Sequence, residues 1–452
     1  MTTLHSARWH RPVLIAVALA TVILPASLQT QTPARRPLPL DEALELAMAT
    51  SKQLRMAQAA VARAEADEDR ARSAFIPSFD ASLGYTRTHE SEFDALGPGL
   101  PGAFGSHHKY QLGVDAVQPL FTGGRLAAQS RMAAAAKRSR LVELASAAAQ
   151  LTLDVTRAYL DAALADQIVE IAAGTLARAD TALVQTRAAN NVGSQSDYDV
   201  LRAQVARDNE RVNLIRHSSD RDLAHVRLKK LLSLPGDTAL VLTTSIEAEV
   251  RDIVTASYQR DKLMRIPFEL RAPVLEAAEA VRIAEQQVTA ARAQHFPSVS
   301  LFSQYGRVSY PASGALNWND FRSNWLTGVS LRVPLFQGGR IVAETGAAQA
   351  DLAEARARFE QIRDYAELDL RAAIEKLESA TAAWDASSGT VEQARAAYRI
   401  AEVRYREGVS TQIELTDARL LLQQAEMNRA RAAAELRVAQ TRMALIHELP
   451  IE

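Results

Sequence analysis

The 452-residue sequence contains no cysteine. This absence excludes disulfide bonds, thiol catalysis, a thiolate metal site and lipidation of an N-terminal cysteine. An excess of one charge is also lacking, because 52 Lys and Arg residues balance 53 Asp and Glu residues. Without a basic field, nucleic acid is not an expected partner. The 9 histidines are scattered and form no catalytic constellation, so the sequence predicts no enzyme, no metal site and no cofactor.

Long apolar runs are missing beyond the N-terminus. Arg8, His10 and Arg11 precede an apolar run over residues 13–24, which is too short for an ordinary spanning helix. This pattern predicts a secretory signal peptide over residues 1–30, with an N-terminal membrane anchor as the alternative. No later run approaches the ~20 apolar residues that a spanning helix needs. The sequence therefore predicts an exported protein without a helical membrane span.

One heptapeptide pattern occurs twice. PLFTGGR begins at Pro119 and PLFQGGR begins at Pro334, an offset of 215 positions. The same offset relates Gly193 to Gly408, far from the heptapeptides. A chance match of seven residues would not keep distant landmarks in register, so the chain is interpreted as a tandem duplication. The predicted domains are a first repeat over 31–235, a connector over 236–270 and a second repeat over 271–450.

Each repeat is predicted to contain a helix, two strands and a long helical hairpin. Apolar residues recur at helical spacing before Pro77 and alternate with polar residues after it. From Leu141 to Ala162 the apolar residues follow coiled-coil spacing, and no proline occurs from 120 to 234. The first repeat is predicted to contain helix 39–74, strands 78–88 and 109–118, and hairpin 125–232. The second is predicted to contain helix 273–294, strands 298–307 and 324–333, and hairpin 340–446.

The repeated heptapeptide is interpreted as an elbow that joins a strand to a helix. Proline cannot donate a hydrogen bond to a sheet, so it is predicted to mark the end of pairing. The glycine pair then allows a turn that a Cβ atom would oppose. A phosphate-binding loop is the alternative, but the G-K-[ST] ending is missing. The predicted elbow residues are Pro119, Gly123 and Gly124, and then Pro334, Gly338 and Gly339.

Two strands in each repeat predict four per chain, with one apolar face and two open edges. Open edges do not occur in lipid, where only closed barrels satisfy the backbone of strands. Four strands are too few to enclose a channel, whereas three chains would supply about 12. The predicted fold class is an α+β membrane protein built from coiled-coil α-hairpins and β-hairpins. Its assembled form would be a trimeric 12-stranded β-barrel, and the long helical hairpins could pack into a coaxial helical tube.

The turns of the two predicted helical hairpins share the spacing G-x5-[DE]-[VL]-x2-A. The matching residues are Gly193, Asp199, Val200 and Ala203, and then Gly408, Glu414, Leu415 and Ala418. With the duplication and the elbows, the chain resembles the TolC-type outer-membrane efflux protein family over about residues 38–450. The resemblance implies a homotrimer in the Gram-negative outer membrane, in contact with lipid, whose 12-stranded β-barrel is continuous with a periplasmic α-barrel. It would conduct substrates from a periplasmic adaptor and an inner-membrane pump; the alternative is a periplasmic coiled-coil adaptor or scaffold without a channel.

The resemblance also implies roles for residues near the two turns. Glu414 and Asp417 would form an acidic ring at the periplasmic entrance. The alternatives are a helix cap after Thr411 for Glu414 and a solvated surface position for Asp417. Asp199 and Tyr405 would form a latch that holds the entrance closed. Ser410 departs from the family pattern, because TolC has an arginine there for a second latch. The residues implied to contact the adaptor are Val192, Gly193, Gly408 and Val409.

Overall fold

The computed structural model describes residues 36–90, 107–247, 267–311 and 317–451. The predicted signal peptide and residues 248–266 of the predicted connector lie outside these ranges. The helices are α1 Leu40–Thr50, α2 Lys52–Ser73, α3 Arg125–Asn191, α4 Asp197–Leu231, α5 Ala272–Ala293, α6 Arg340–Arg406 and α7 Gln412–Ala444. The strands are β1 Arg36–Leu38, β2 Ser78–Arg87, β3 His108–Phe121, β4 Leu240–Leu242, β5 Ser298–Ser309 and β6 Arg322–Arg332.

The long helices α3 and α6 dominate the molecule. Each has 67 residues, which is about 100 Å of helix at 1.5 Å per residue. Helix α3 pairs with α4, α6 pairs with α7, and α3 also packs against α7. The two hairpins of one chain therefore pack against each other, mainly through α3 and α7. Within the described ranges, no helix combines the length and the apolar composition that a membrane crossing requires.

The start of the chain differs from its prediction in two ways. The helix predicted over 39–74 is divided at Ser51, whose hydroxyl accepts a hydrogen bond from Leu54 N at 3.2 Å and so caps α2. The short strand β1 pairs in parallel with β4, which belongs to the predicted connector. Neither short strand was predicted, because three residues are too few to establish an alternating pattern.

The remaining strands form an antiparallel sheet in the order β2-β3-β5-β6. Strand β2 lies at one edge and β6 at the other. Opposed residues point to the same face of an antiparallel sheet, so the register defines its two faces. One face is mainly apolar and includes Phe79, Leu83, Leu112, Val114, Tyr305, Trp325, Val329 and Leu331. The other face is mainly polar and includes Asp80, Ser82, Asp115, Gln111, Gln304 and Asn324.

At both elbows the glycine pair adopts a left-handed backbone. The φ angles are +63° and +89° at Gly123 and Gly124, and +60° and +82° at Gly338 and Gly339. Only glycine adopts this conformation without a steric penalty, which explains why each long helix begins directly after a glycine pair.

The two elbow prolines lie at different places relative to their strands. Pro334 lies beyond the end of β6. By contrast, β3 continues through Pro119 to Phe121, and its register with β5 shifts between these residues. The prediction that pairing stops at Pro119 was therefore wrong. A bulge accommodates the missing donor of a proline within a strand.

The two elbows provide a matched test of backbone strain against packing. A Cβ atom at Gly123 would lie 2.7 Å from Ala293 O and 2.7 Å from Phe296 Cβ, whereas one at Gly338 would meet nothing within 4 Å. The backbone penalty of alanine is the same at both positions, about 1–2 kcal/mol. We therefore expect Gly123→Ala to lower the thermal unfolding temperature clearly more than Gly338→Ala. Equal losses in the two variants would contradict the close approach of α5 to the first elbow.

Candidate functional site

The two helical hairpins end in two turns, here named the first tip (residues 192–196) and the second tip (residues 407–411). One glycine in each tip has a left-handed backbone, with φ of +78° at Gly193 and +73° at Gly408. Each tip also exposes an apolar side chain, since 80% of Val192 and 69% of Val409 are accessible. The four residues predicted to contact an adaptor therefore lie on exposed surface at the ends of the hairpins.

The first tip is followed by a reciprocal cap at the start of α4. Ser196 Oγ accepts from Asp199 N at 3.2 Å, and Asp199 Oδ2 accepts from Ser196 N at 3.2 Å. The Ser196 hydroxyl also donates to Asp199 Oδ2 at 2.6 Å. This arrangement is a capping box with Asp in the third helical position. The Asp199 carboxylate is therefore already bound to the first turn of its own helix.

The second tip places the two predicted acidic residues on the first turns of α7. Thr411 Oγ accepts from Glu414 N at 3.4 Å, so Thr411 caps this helix. The Glu414 carboxylate lies 3.7 Å from the Arg404 guanidinium, and about half of each side chain is exposed. An ion pair this exposed contributes little to stability. Asp417 is exposed one turn further along the same helix face.

Both residues of the predicted latch have other partners in this structure. The Tyr405 hydroxyl lies 2.6 Å from Thr186 Oγ1, and Tyr405 is only 6% exposed. Thr186 Oγ1 donates its single proton to Ala182 O at 2.8 Å, so Tyr405 is the donor to Thr186. Asp199 is held by Ser196, as described above. A bond between Asp199 and Tyr405 would require the Tyr405 hydroxyl to leave Thr186, whereas the Asp199 carboxylate can accept a further hydrogen bond beside those from Ser196. The latch stays a prediction.

Buried polar residues join the two hairpins just behind the tips. Glu210 of α4 and Arg419 of α7 are 4% and 5% exposed, and their charged groups approach to 3.8 Å. Asn213 Nδ2 donates to the other oxygen of Glu210 at 3.3 Å. Burial lowers the pKa of Arg419, because a charged guanidinium is less stable away from water, while the charge of Glu210 opposes this shift.

Two further contacts cross between the same hairpins. The Arg178 guanidinium of α3 lies 5.7 Å from the centre of the Tyr398 ring of α6, a distance that permits a cation–π interaction. With its amide oriented to satisfy both ends, Gln412 of α7 donates to Asp199 O at 3.0 Å and accepts from Ala203 N at 2.9 Å. We name these contacts between the two hairpins the inter-hairpin seam. It consists of Thr186–Tyr405, Glu210–Arg419, Arg178–Tyr398 and the Gln412 contacts.

Sequence analysis did not identify the inter-hairpin seam, although one signal was present. Leu415, Arg419 and Leu422 are separated by four and three residues, which is coiled-coil spacing. A charged residue at such a position must be buried against its partner helix and must find an opposite charge there. Following the seven-residue spacing through α7 would therefore have identified Arg419.

Comparison with known proteins gives one family. Residues 43–233 and 269–446 match the model of the family described as "Outer membrane efflux protein". The efflux pump outer membrane protein TtgC of Pseudomonas putida is 25% identical over 270 residues, 59% of this chain, and the chain spans only 54% of that relative. Protein CyaE of Bordetella pertussis is 28% identical over 409 residues, 88% of this chain and 82% of the relative. TolC of Vibrio cholerae is 25% identical over 320 residues, 69% and 71% of the two chains.

Solved structures share the fold. CusC superposes with a TM-score of 0.77 at 18% identity and covers 91% of this chain and 92% of its own. VceC from Vibrio cholerae superposes with a TM-score of 0.75 at 20% identity, with 90% and 95% covered. CusC forms a transmembrane channel, and VceC is an outer membrane protein.

Hydrogen–deuterium exchange can distinguish the capping role of Asp199 from the predicted latch between Asp199 and Tyr405. We expect Asp199→Ala to raise amide exchange in the first turn of α4, because a lost cap costs about 1 kcal/mol, roughly a fivefold change. Tyr405→Phe should leave that turn unchanged, since Tyr405 contacts Thr186 instead. Equal effects of the two variants on this turn would show that Asp199 and Tyr405 act together as a latch.

Proposed function

Because the chain belongs to the outer membrane efflux protein family, we propose that it forms an exit duct for substrates. The duct would receive them from an inner-membrane pump and a periplasmic adaptor and release them outside the cell. The protein is located in the Gram-negative outer membrane, with its helices in the periplasm. The relatives named as outer membrane proteins of efflux pumps support this assignment.

The exposed apolar face of the sheet is the observation that carries the proposal. Phe79, Leu83 and Trp325 are 73%, 80% and 72% exposed, and all three lie on this face. Exposure of such a surface to water would cost a free energy of about 25 cal/mol per Å² of apolar area. Lipid stabilises it. The face also pairs Tyr85 with Tyr110 across β2 and β3, with ring centres 4.8 Å apart, as in the aromatic girdles of membrane barrels.

Closure of the sheet requires further copies of the chain. Strands β2 and β6 have a free edge each within the described sheet, and the hydrocarbon core offers no partner for their backbone groups. A copy that adds its β2 to the β6 edge satisfies both edges by the same contact. Three copies give a barrel of about 12 strands, a size that leaves an aqueous channel with the polar face inside.

The long helices would carry the duct through the periplasm. Helices α3 and α6 have 67 residues each and are about 100 Å long, and the two hairpins of one chain pack against each other through α3 and α7. Three copies of this pair of hairpins would close into a tube below the barrel. The elbows connect the two parts, because each transmembrane strand pair leads directly into α3 or α6.

The tips would form the gated periplasmic entrance. In a trimer, Glu414 and Asp417 of each chain would lie in rings of three carboxylates, which attract cations. Val192, Gly193, Gly408 and Val409 would present the surface that meets the adaptor. This assignment rests on their place at the hairpin ends and on the exposure of both valines.

Single-channel recording in planar bilayers tests the duct and its acidic entrance. We expect detergent-extracted protein to give a stable conductance that a trivalent cation on the periplasmic side blocks. The double variant Glu414→Ala/Asp417→Ala should need about tenfold or more cation for the same block, because rings of charge concentrate cations. Asp351→Ala, an exposed acidic residue near the elbow end of α6, is the control and should leave the block unchanged.

Other outcomes would revise the proposal. Conductance without any cation block would support the duct but contradict the acidic ring. The role of Glu414 would then be limited to its contacts with its own helix and with Arg404. A water-soluble particle without conductance would contradict the duct and favour the coiled-coil scaffold.

A further inference from the structure

We infer that Arg87 and Arg307 form a binding site for phosphorylated lipid headgroups on the outward face of the proposed barrel. The inference rests on the proposed function, because it requires the apolar face of the sheet to lie in lipid. It gives a partner to two charged side chains on a face that is otherwise mainly apolar.

A short motif in each repeat supplies the two arginines. Residues 85–87 of β2 and residues 305–307 of β5 both read Tyr-x-Arg. Counted from the first residue of its strand, Arg87 and Arg307 are each the tenth residue. The duplicated chain therefore places the same two side chains at the same position of equivalent strands.

The face that carries both arginines has no negative charge of its own. Side chains alternate along a strand, so each arginine lies on the same face as the tyrosine two residues before it. Within the four strands of this sheet, the acidic residues are Asp80 and Asp115, and both point to the polar face. Arg87 and Arg307 are exposed, and neither forms an ion pair with any residue in the described ranges. Both cations are therefore available to an anionic partner.

The two arginines lie near the outer border of the region that lipid would cover. Helices α2 and α5 lead into β2 and β5, so each of these strands begins at its periplasmic end. The tenth residue lies about 30 Å further along the strand, at 3.4 Å per residue. A strand tilted by about 40° rises roughly 23 Å over this length, close to the height of the apolar band of a membrane barrel. Headgroups of the outer leaflet lie just beyond this band.

Aromatic neighbours of the two motifs are typical of the same interface. Tyr85 is opposite Tyr110 in β3, and Tyr305 is opposite Trp325 in β6. Tyrosine and tryptophan concentrate at the level of the headgroups. An arginine that faces lipid is unfavourable in the middle of the bilayer and is tolerated at the interface. There its guanidinium can hold a phosphate by two parallel hydrogen bonds, a geometry that lysine does not provide.

The separation of the two arginines defines the class of lipid. Arg87 is opposite His108 and Arg307 is opposite Leu112, so they differ by four residues along β3 and by two strand spacings across the sheet. These offsets place the two backbone positions about 17 Å apart, at 3.4 Å per residue and about 4.8 Å per strand. The partner that fits is a lipid with a diphosphorylated headgroup and several acyl chains, since the chains can lie on the apolar face below the arginines.

Native mass spectrometry of the detergent-extracted protein can count bound lipids and compare their affinities. We expect bisphosphorylated lipid A to bind about tenfold or more tightly than dephosphorylated lipid A with the same acyl chains, because hydrogen bonds between charged groups are lost with the phosphates. Arg87→Gln/Arg307→Gln should abolish this preference. The control is Arg322→Gln, which removes an exposed arginine at the same end of the sheet but on the polar face, and it should retain the preference.

Three results would overturn the inference. The first is equal affinity of the starting protein for the two lipids, a comparison that depends on no variant. The second is an equal loss of preference in Arg322→Gln and in the double variant, since a general attraction between charges would then explain the binding. The third is displacement of the lipid by inorganic phosphate at equal concentration, because free phosphate makes no contact with the apolar face.

Conductance of the same preparation separates this inference from the proposed function. A conducting protein without the phosphate preference would keep the duct and reject the lipid site. A phosphate preference that the double variant abolishes, in a protein without conductance, would keep the lipid site and reject the duct.

Discussion

Unpaired backbone groups at the edges of the β2-β3-β5-β6 sheet are the constraint on which the rest of the account depends. The sheet exposes an apolar face that water disfavours, and the lipid that stabilises this face offers no hydrogen bonds to an edge. Edges of this kind are covered, charged or closed in stable proteins. The proposed closure by neighbouring copies would satisfy both demands at once, and it would make the folded chain a part of a larger ring.

The duplication gives the helical part of the chain the same repeated organisation as the sheet. Because each repeat supplies one β-hairpin and one helical hairpin, every pair of strands added to a barrel adds two long helices below it. The elbows make this connection abrupt, since the left-handed glycines turn the chain within two residues. Close packing at Gly123 against Ala293 and Phe296 shows that the first elbow is also fixed by α5.

The regular parts of the fold could be predicted from sequence, because they follow from local periodicity. The proline-free tract from 120 to 234 and its coiled-coil spacing correspond to α3 and α4, and alternation corresponds to the strands. The features that sequence analysis missed depend on partners distant in the chain. They include the β1–β4 pair, the passage of β3 through Pro119 and the Thr186–Tyr405 contact, whereas the predicted latch between Asp199 and Tyr405 stays a prediction. The buried charges Glu210 and Arg419 were missed although heptad spacing marked Arg419.

The number of chains in the detergent-extracted particle tests the central claim most directly. Native mass spectrometry measures it without reference to any substrate or partner. The account predicts a particle of three chains that depends on detergent, because only closure by copies satisfies the edges of β2 and β6. A single chain that stays in solution without detergent would contradict the account, since its apolar face and both sheet edges would then be stable in water.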